Sequence, residues 1–239
     1  YKEASQRSFK QAVQYQEGRK VRNSRDARAM QKGSKFGRKQ QEEVWHTAEV
    51  DALFRLANAG VRVPQPYMCL DGVLLMELVT DGDGAVAPRL SDVSLTEAEA
   101  VKDFDTMIRN IVRMLCAGIV HGDLSEFNVL LDAQGPVIID LPQAVDAAAN
   151  NHAQSMFERD VNNITEYYGQ FAPQLLKTRY GKEIWMLYED GKLTPETPLT
   201  GLFVEDVHDV DMDSLLDEIV SAEDEYYERQ RAIREREED

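Results

Sequence analysis

Eight consecutive residues restrict this chain more than any others: His121-Gly122-Asp123-Leu124-Ser125-Glu126-Phe127-Asn128. The apolar run Val129-Leu130-Leu131 follows, then a polar turn at Asp132-Ala133-Gln134-Gly135. A second apolar run, Val137-Ile138-Ile139, leads into Asp140-Leu141-Pro142-Gln143. Two short apolar runs about a Gly-containing turn predict a β-hairpin. Such a hairpin carries carboxylate and amide oxygens at both ends, so the fold must accommodate three polar side chains beside a buried strand pair.

The order and spacing of Asp123, Asn128 and Asp140 suit phosphoryl transfer. That chemistry is mostly positioning and charge neutralisation, with one Asp facing the incoming hydroxyl and Asn and Asp oxygens on Mg2+. An H-x-D-x-x-x-x-N string is weak by itself. The second Asp at the close of the next apolar strand makes it more specific.

With 239 residues the chain can bury a substantial core, as one bilobal domain or two small ones. No stretch approaches the run of about 20 apolar residues that a membrane helix needs, and no signal peptide is expected. The expected setting is cytoplasmic, and Cys69 and Cys116, which lack pairing or metal-ligand spacing, are expected as buried free thiols. The chain begins at Tyr1 rather than Met, so its natural start is expected to be missing.

Charge is unevenly spread over the net −16. Residues 1–40 hold twelve Lys or Arg against three acidic residues, a net +9, which leaves −25 for the rest. This asymmetry suggests a basic arm for a polyanion or for nucleotide phosphates, with a solvated loop as the alternative. Segment 18–41 has three glycines and almost no apolar periodicity, so it is expected as a mobile basic loop in which Ser24 and Ser34 could accept phosphate.

Periodicity places a short helix at Tyr1–Gln16 and a firmer one from Glu42, through Val44, Ala48, Leu53 and Leu56, which Asn58-Ala59-Gly60 stops. Glu49 lies on it, where a phosphate-transfer enzyme needs a helical Glu to orient a Lys. Tyr67–Leu70 and Val73–Leu78 read as a hairpin about Asp71-Gly72. In a nucleotide site the backbone of Glu77 to Val79 would bond adenine, with Met76 at the back of the pocket, and Thr80–Gly84 would be a flexible connector.

Ser94-Leu95-Thr96-Glu97 matches a capping box that opens a helix through Val101, Phe104, Ile108, Ile111 and Leu115 to Gly118. Further helices are expected at about Met156–Tyr168, at Gln174–Tyr188 and, strongly acidic, from Met212 toward Arg236. No Ala-Pro-Glu follows Asp140, and there is no room for a long activation segment.

Taken together these residues resemble the RIO family of atypical protein kinases, over almost the whole chain to about residue 193. The resemblance rests on Trp45 to Leu56 with Ala59-Gly60-Val61-Arg62-Val63-Pro64, on Leu74–Val79 with Ala87-Pro88-Arg89-Leu90, and on the catalytic loop. It continues in Ile139-Asp140-Leu141-Pro142-Gln143 and Arg159-Asp160-Val161-Asn162-Asn163-Ile164. The branch without a winged-helix amino-terminal domain, with its bacterial members, is the most similar.

The resemblance implies an α+β, bilobal protein-kinase-like fold with an incomplete small lobe and no long activation segment. Residues 1–79 would be the remainder of the small lobe, 80–200 the large lobe and 201–239 an acidic helical tail. It implies Asp123 as the catalytic Asp, Asn128 and Asp140 as ligands of Mg2+ or Mn2+, and Glu49 as the partner of the nucleotide-binding Lys. Met76, Glu77 and Val79 would line the adenine hinge, Leu130 and Ile139 the pocket floor, and Asp160 would brace the catalytic loop.

The phosphate loop and strand Lys of the family are expected upstream of Tyr1, Lys2 being about two positions too late, so ATP binding by this chain alone is expected to be weak. The implied activity is ATP-dependent phosphorylation of protein serine or threonine, self included, or an ATPase-driven switch. Two alternatives stay open: a small-molecule phosphotransferase of the aminoglycoside or choline kinase type, and a non-catalytic nucleotide sensor that meets ribosomal or other RNA through the basic loop.

Overall fold

The computed structural model describes residues 48–70 and 72–203. The expected helix at 1–16, the basic segment 18–41 with Ser24 and Ser34, and the acidic helix expected from Met212 lie outside the described residues.

Helix α1 is seen from residue 48 to 58 and turns Ala52, Leu53 and Leu56 into the core. Its end is a chemical stop. Gly60 at φ +73° lets the Val61 amide donate to the Leu56 carbonyl and its own amide to Ala57, two of the carbonyls a helix end otherwise leaves unpaired.

Strands β1 (Pro66–Leu70) and β2 (Val73–Met76) pair antiparallel, Leu70 opposite Val73, as the Asp-Gly turn predicts. The connector after them is not loose. Asp81 accepts the amides of Asp83 and Ala85 on one carboxylate oxygen, its own amide donates to the Ala85 carbonyl, and Ala87 donates to Val79. Short Asp side chains fold turns in this way, so the Gly-rich composition that suggested flexibility instead serves a tight, bonded turn.

Helix α2 (Glu97–Cys116) is the central core helix, with Phe104, Met107, Ile108, Ile111 and Leu115 buried. Its capping box is Thr96 with Glu99 rather than Ser94 with Glu97. Both pairs have the right spacing, but the helix begins at Glu97, so only Thr96 is the N-cap. Val101, expected inward, is exposed because the buried stripe runs through Ala100.

Strand β3 (Ile119–Val120) follows Gly118 and pairs with β6 (Val145–Asp146). Between them β4 (Val129–Asp132) and β5 (Gly135–Ile138) form the expected hairpin, Asp132 opposite Gly135, with the Asp132 carboxylate accepting the amides of Gln134 and Gly135.

Helix α3 (Ala153–Gly169) packs on α2 and buries Phe157, Val161, Ile164 and Tyr168. The single helix expected at Gln174–Tyr188 is two pieces, a 3-10 turn at Pro173–Lys177 and α4 (Tyr180–Glu189). The break has a cause. Thr178 takes the Leu175 carbonyl with both its amide and its hydroxyl, and the Arg179 amide donates to Gly201 instead of continuing the ladder. Buried Glu183 then holds the amides of Thr200 and Gly201 and the Thr200 hydroxyl, tying the end of the described chain to α4.

Both cysteines are exposed, against expectation. Cys69 sits on a hairpin whose Tyr67, Met68, Leu70, Val73 and Leu75 are also exposed, and Cys116 is the last residue of α2.

Candidate active site

The loop from His121 to Asn128 leaves β3 and must reverse direction before β4. Gly122 makes the turn at φ +80°, a conformation that explains why a glycine, and not a side chain, precedes Asp123. Its amide and that of Leu124 converge on the two oxygens of Asp160 in α3, at 2.7 and 3.0 Å. The carbonyls of the same two residues accept from Arg159 and Asn163 on the same helix. Four backbone groups of the loop thus end on three side chains of one helix.

Asp160 is fully enclosed, and burial pushes its carboxyl up to about 7 against the pull of the two amides and Arg159. His121 is also buried. The Asp123 amide can only donate, so Nδ1 accepts from it at 3.3 Å and Nε2 carries the proton that goes to the Ile139 carbonyl at 3.0 Å. Burial holds this imidazole below its ordinary value, which keeps it neutral in that tautomer.

These bonds draw the segment that follows β5 to the loop at 121–128. Asn128 donates its side-chain amide to the Asp123 carbonyl at 2.7 Å, and its own carbonyl accepts the Ile139 amide at 3.0 Å. Asp140 follows directly, half-buried, at φ +69°, the one non-glycine with positive φ among the described residues. Asp tolerates that region better than most residues, and such strained positions cluster at functional sites. Asp123 itself is exposed and receives Gln143 Nε2 on Oδ2 at 2.8 Å.

Among the described residues no group of three or more His, Cys, Asp or Glu could hold a metal. Two oxygen donors, from Asn128 and Asp140, are what Mg2+ asks of a protein, since it keeps waters and phosphate oxygens in its remaining positions. The chemistry of the pair therefore fits that ion.

On the other side, Val79 and Ala87 pack with Val137 in a small apolar cluster that Leu130 flanks. The Val79 carbonyl is used by Ala87 and the Glu77 amide by Gln65, whereas the Glu77 carbonyl and the Val79 amide meet no partner among the described residues. Those are one acceptor and one donor two residues apart. Met76, expected at the back of a pocket, is 46% exposed, as are most side chains of β1 and β2. Glu49 lies half-buried on α1.

The Glu77 side chain is committed elsewhere. Arg62 grips it with both guanidinium nitrogens at 2.9 and 3.0 Å and reaches Asp132 at 2.6 Å, while its backbone bonds Asn110 and Ile138. The fork lowers the Glu77 carboxyl below its ordinary value. Arg62 thereby joins the segment after β2, the β4–β5 hairpin and α2.

Sequence reasoning named Asp160 but assigned nothing to Arg159, Asn163, Arg62 or Gln143. The available signal was the spacing of Arg159, Asp160 and Asn163, which puts three hydrogen-bonding side chains near one helix face.

A mixed α+β core, a loop and strand pair that assemble Asp, Asn and Asp, and a helix that clamps the loop backbone define a protein-kinase-like chain. Its family follows from residues 2–180, which match the RIO domain; the chain belongs to the RIO family. Serine/threonine-protein kinase rio1 of Schizosaccharomyces pombe is 30% identical over 75% of this chain and 40% of its own length. RIO-type serine/threonine-protein kinase Rio1 of Haloferax volcanii is 38% identical over 52% of this chain and 41% of its own. The human serine/threonine-protein kinase RIO1 is 31% identical over 64% and 26% respectively. The chain thus spans about two fifths of the length of the first two relatives.

Proposed function

We propose that this chain is the catalytic part of an ATP-dependent serine/threonine protein kinase of RIO type. The observation that carries the reading is the bonded circuit through His121, Ile139, Asn128 and Asp123, which holds an acid, an amide and a second acid at the ends of one hairpin. The names of the three relatives support the same class of reaction.

In this reading residues 1–79 belong to the small lobe and 80–200 to the large lobe. The Glu77 carbonyl and Val79 amide take the adenine edge, Leu130 and Ile139 form the floor with Met76 toward the rear, and Glu49 orients a Lys on the phosphates. Asn128 and Asp140 would hold Mg2+, or Mn2+ in its place, and the ion would supply charge neutralisation for the phosphate. Asp123 accepts the proton of the incoming hydroxyl. The acceptor is a protein serine or threonine, with Ser24 and Ser34 as self-sites and an ATPase switch as the outcome when no acceptor is seated. The basic segment 18–41 would meet a ribosomal or other RNA partner in a cytoplasmic setting. No helix among the described residues is long and apolar enough to cross a membrane.

Two substitutions separate the roles. Asp140→Ala removes Mg2+-dependent ATP binding, whereas Asp123→Ala leaves ATP affinity in place and slows transfer by about 100-fold or more. Calorimetric titration of ATP and radiolabel transfer on both variants give the test, and equal loss of affinity in the two contradicts the assignment.

A further inference from the structure

We propose that Gln143 is a positioning residue for phosphoryl transfer: its side-chain amide holds one oxygen of Asp123 and so presents the other to the acceptor hydroxyl. The proposal rests on reading Asp123 as the group that accepts the hydroxyl proton.

An exposed carboxylate on a loop rotates freely about its terminal torsion, which is broad and two-fold. Asp123 is exposed, yet three of its polar atoms are spoken for. Its amide donates to His121, its carbonyl accepts from Asn128, and Oδ2 accepts Gln143 Nε2 at 2.8 Å. A carboxylate oxygen can only accept, so the Gln143 amide must turn its NH2 group toward Asp123. Among the described residues no donor reaches Oδ1, which leaves that oxygen for the acceptor.

Gln143 can hold this position because its own loop is pinned on both sides. Leu141 is buried, the Ala144 amide closes a turn onto the Leu141 carbonyl, and Val145 is buried in β6 where it pairs with Val120. The Gln143 side chain therefore leaves a short, fixed stretch that starts at Asp140. One consequence is coupling. A change in the stretch from Asp140 to Gln143 reaches the Asp123 carboxylate through the Gln143 hydrogen bond, whereas the circuit through His121, Ile139 and Asn128 holds only the Asp123 backbone.

The test uses Gln143→Met, which keeps the length of the side chain and removes the donor, and Gln143→Glu, which sets a second carboxylate against Asp123. Asp123→Asn is the control for the underlying reading. Single-turnover transfer from radiolabelled ATP, ATP affinity by calorimetry and thermal stability are measured on the full chain.

The expected result is a transfer rate about ten-fold or more lower in Gln143→Met and lower again in Gln143→Glu, with ATP affinity unchanged within about two-fold. Wild-type rates in both Gln143 variants beside an inactive Asp123→Asn overturn the role of Gln143 and leave Asp123 in place. A loss of rate matched by equal losses in ATP affinity and melting temperature also overturns it, because that pattern belongs to a packing role. Full activity in Asp123→Asn overturns the reading on which the proposal stands.

Discussion

The two sides of the proposed nucleotide cleft are held by different means. Behind the catalytic loop, Asp160 and His121 are each 2% exposed and bond backbone groups, so the loop is fastened from inside the core. At the hinge, Arg62 and Glu77 have side chains 29% and 25% exposed and bond each other, so that side is fastened at the surface. Buried bonds to backbone leave little freedom, because each lost partner strands a polar group away from water. Surface ion pairs in a forked geometry are weaker, salt-sensitive and easier to rearrange. The contrast suits the proposed function, in which the reacting groups stay fixed while the side proposed for adenine adjusts.

The largest expected effect is at the buried end. Asp160→Ala leaves the Gly122 and Leu124 amides without an acceptor in a closed environment, for a loss of about 3 kcal/mol or more. Thermal melting of the variant should show it together with loss of transfer, and a variant as stable as wild type removes the basis of the comparison.

The same residue gives a pH signature. Its carboxyl titrates at about 7 in the folded chain, above the value of about 3.9 for an unfolded Asp, so between these values the folded state binds more protons. Its contribution is fully present below pH ~4 and is lost as pH rises through about 7, a change on the order of a few kcal/mol. The stability difference between wild type and Asp160→Asn should therefore narrow over that window and stay flat above it. Chemical denaturation across pH 4 to 8 checks the sign.

A smaller effect is expected at the hinge. Arg62→Lys keeps the charge but cannot form the fork, and should cost about 1 kcal/mol in stability with a few-fold loss of ATP affinity. Because the network is partly exposed, raising the salt concentration should shrink the difference between wild type and variant. A salt-independent loss as large as that of Asp160→Ala would make the two sides alike. The smallest effect is the reference point. Asp105 and Arg109 form an exposed i,i+4 pair on α2 at 2.7 Å, and Asp105→Ala should change stability by less than about 0.5 kcal/mol with transfer intact.

Much of this was readable along the chain because it depends on neighbours in sequence. The β4–β5 hairpin follows from two apolar runs and a turn, the end of α1 from Gly60, and the candidate trio Asp123, Asn128 and Asp140 from spacing alone. Local reading failed where two local patterns were equally good or where a distant group intervened. Ser94 and Thr96 both offer a capping box, and the helix start at Glu97 makes Thr96 the cap. The helix expected at Gln174–Tyr188 is broken by Gly201, far along the chain, which takes the Arg179 amide.

What the sequence determined by itself, then, is which chemical groups are supplied and in what order: the loop acids, the Asn between them and the strands that carry them. Only the tertiary structure decided which groups hold them still. Arg159, Asp160 and Asn163 reach Gly122 and Leu124 across 36 to 39 positions, and Arg62 reaches Asp132 across 70. Hydrogen bonds of that range form only after helices and strands have packed, so no periodicity or spacing in the chain announces them.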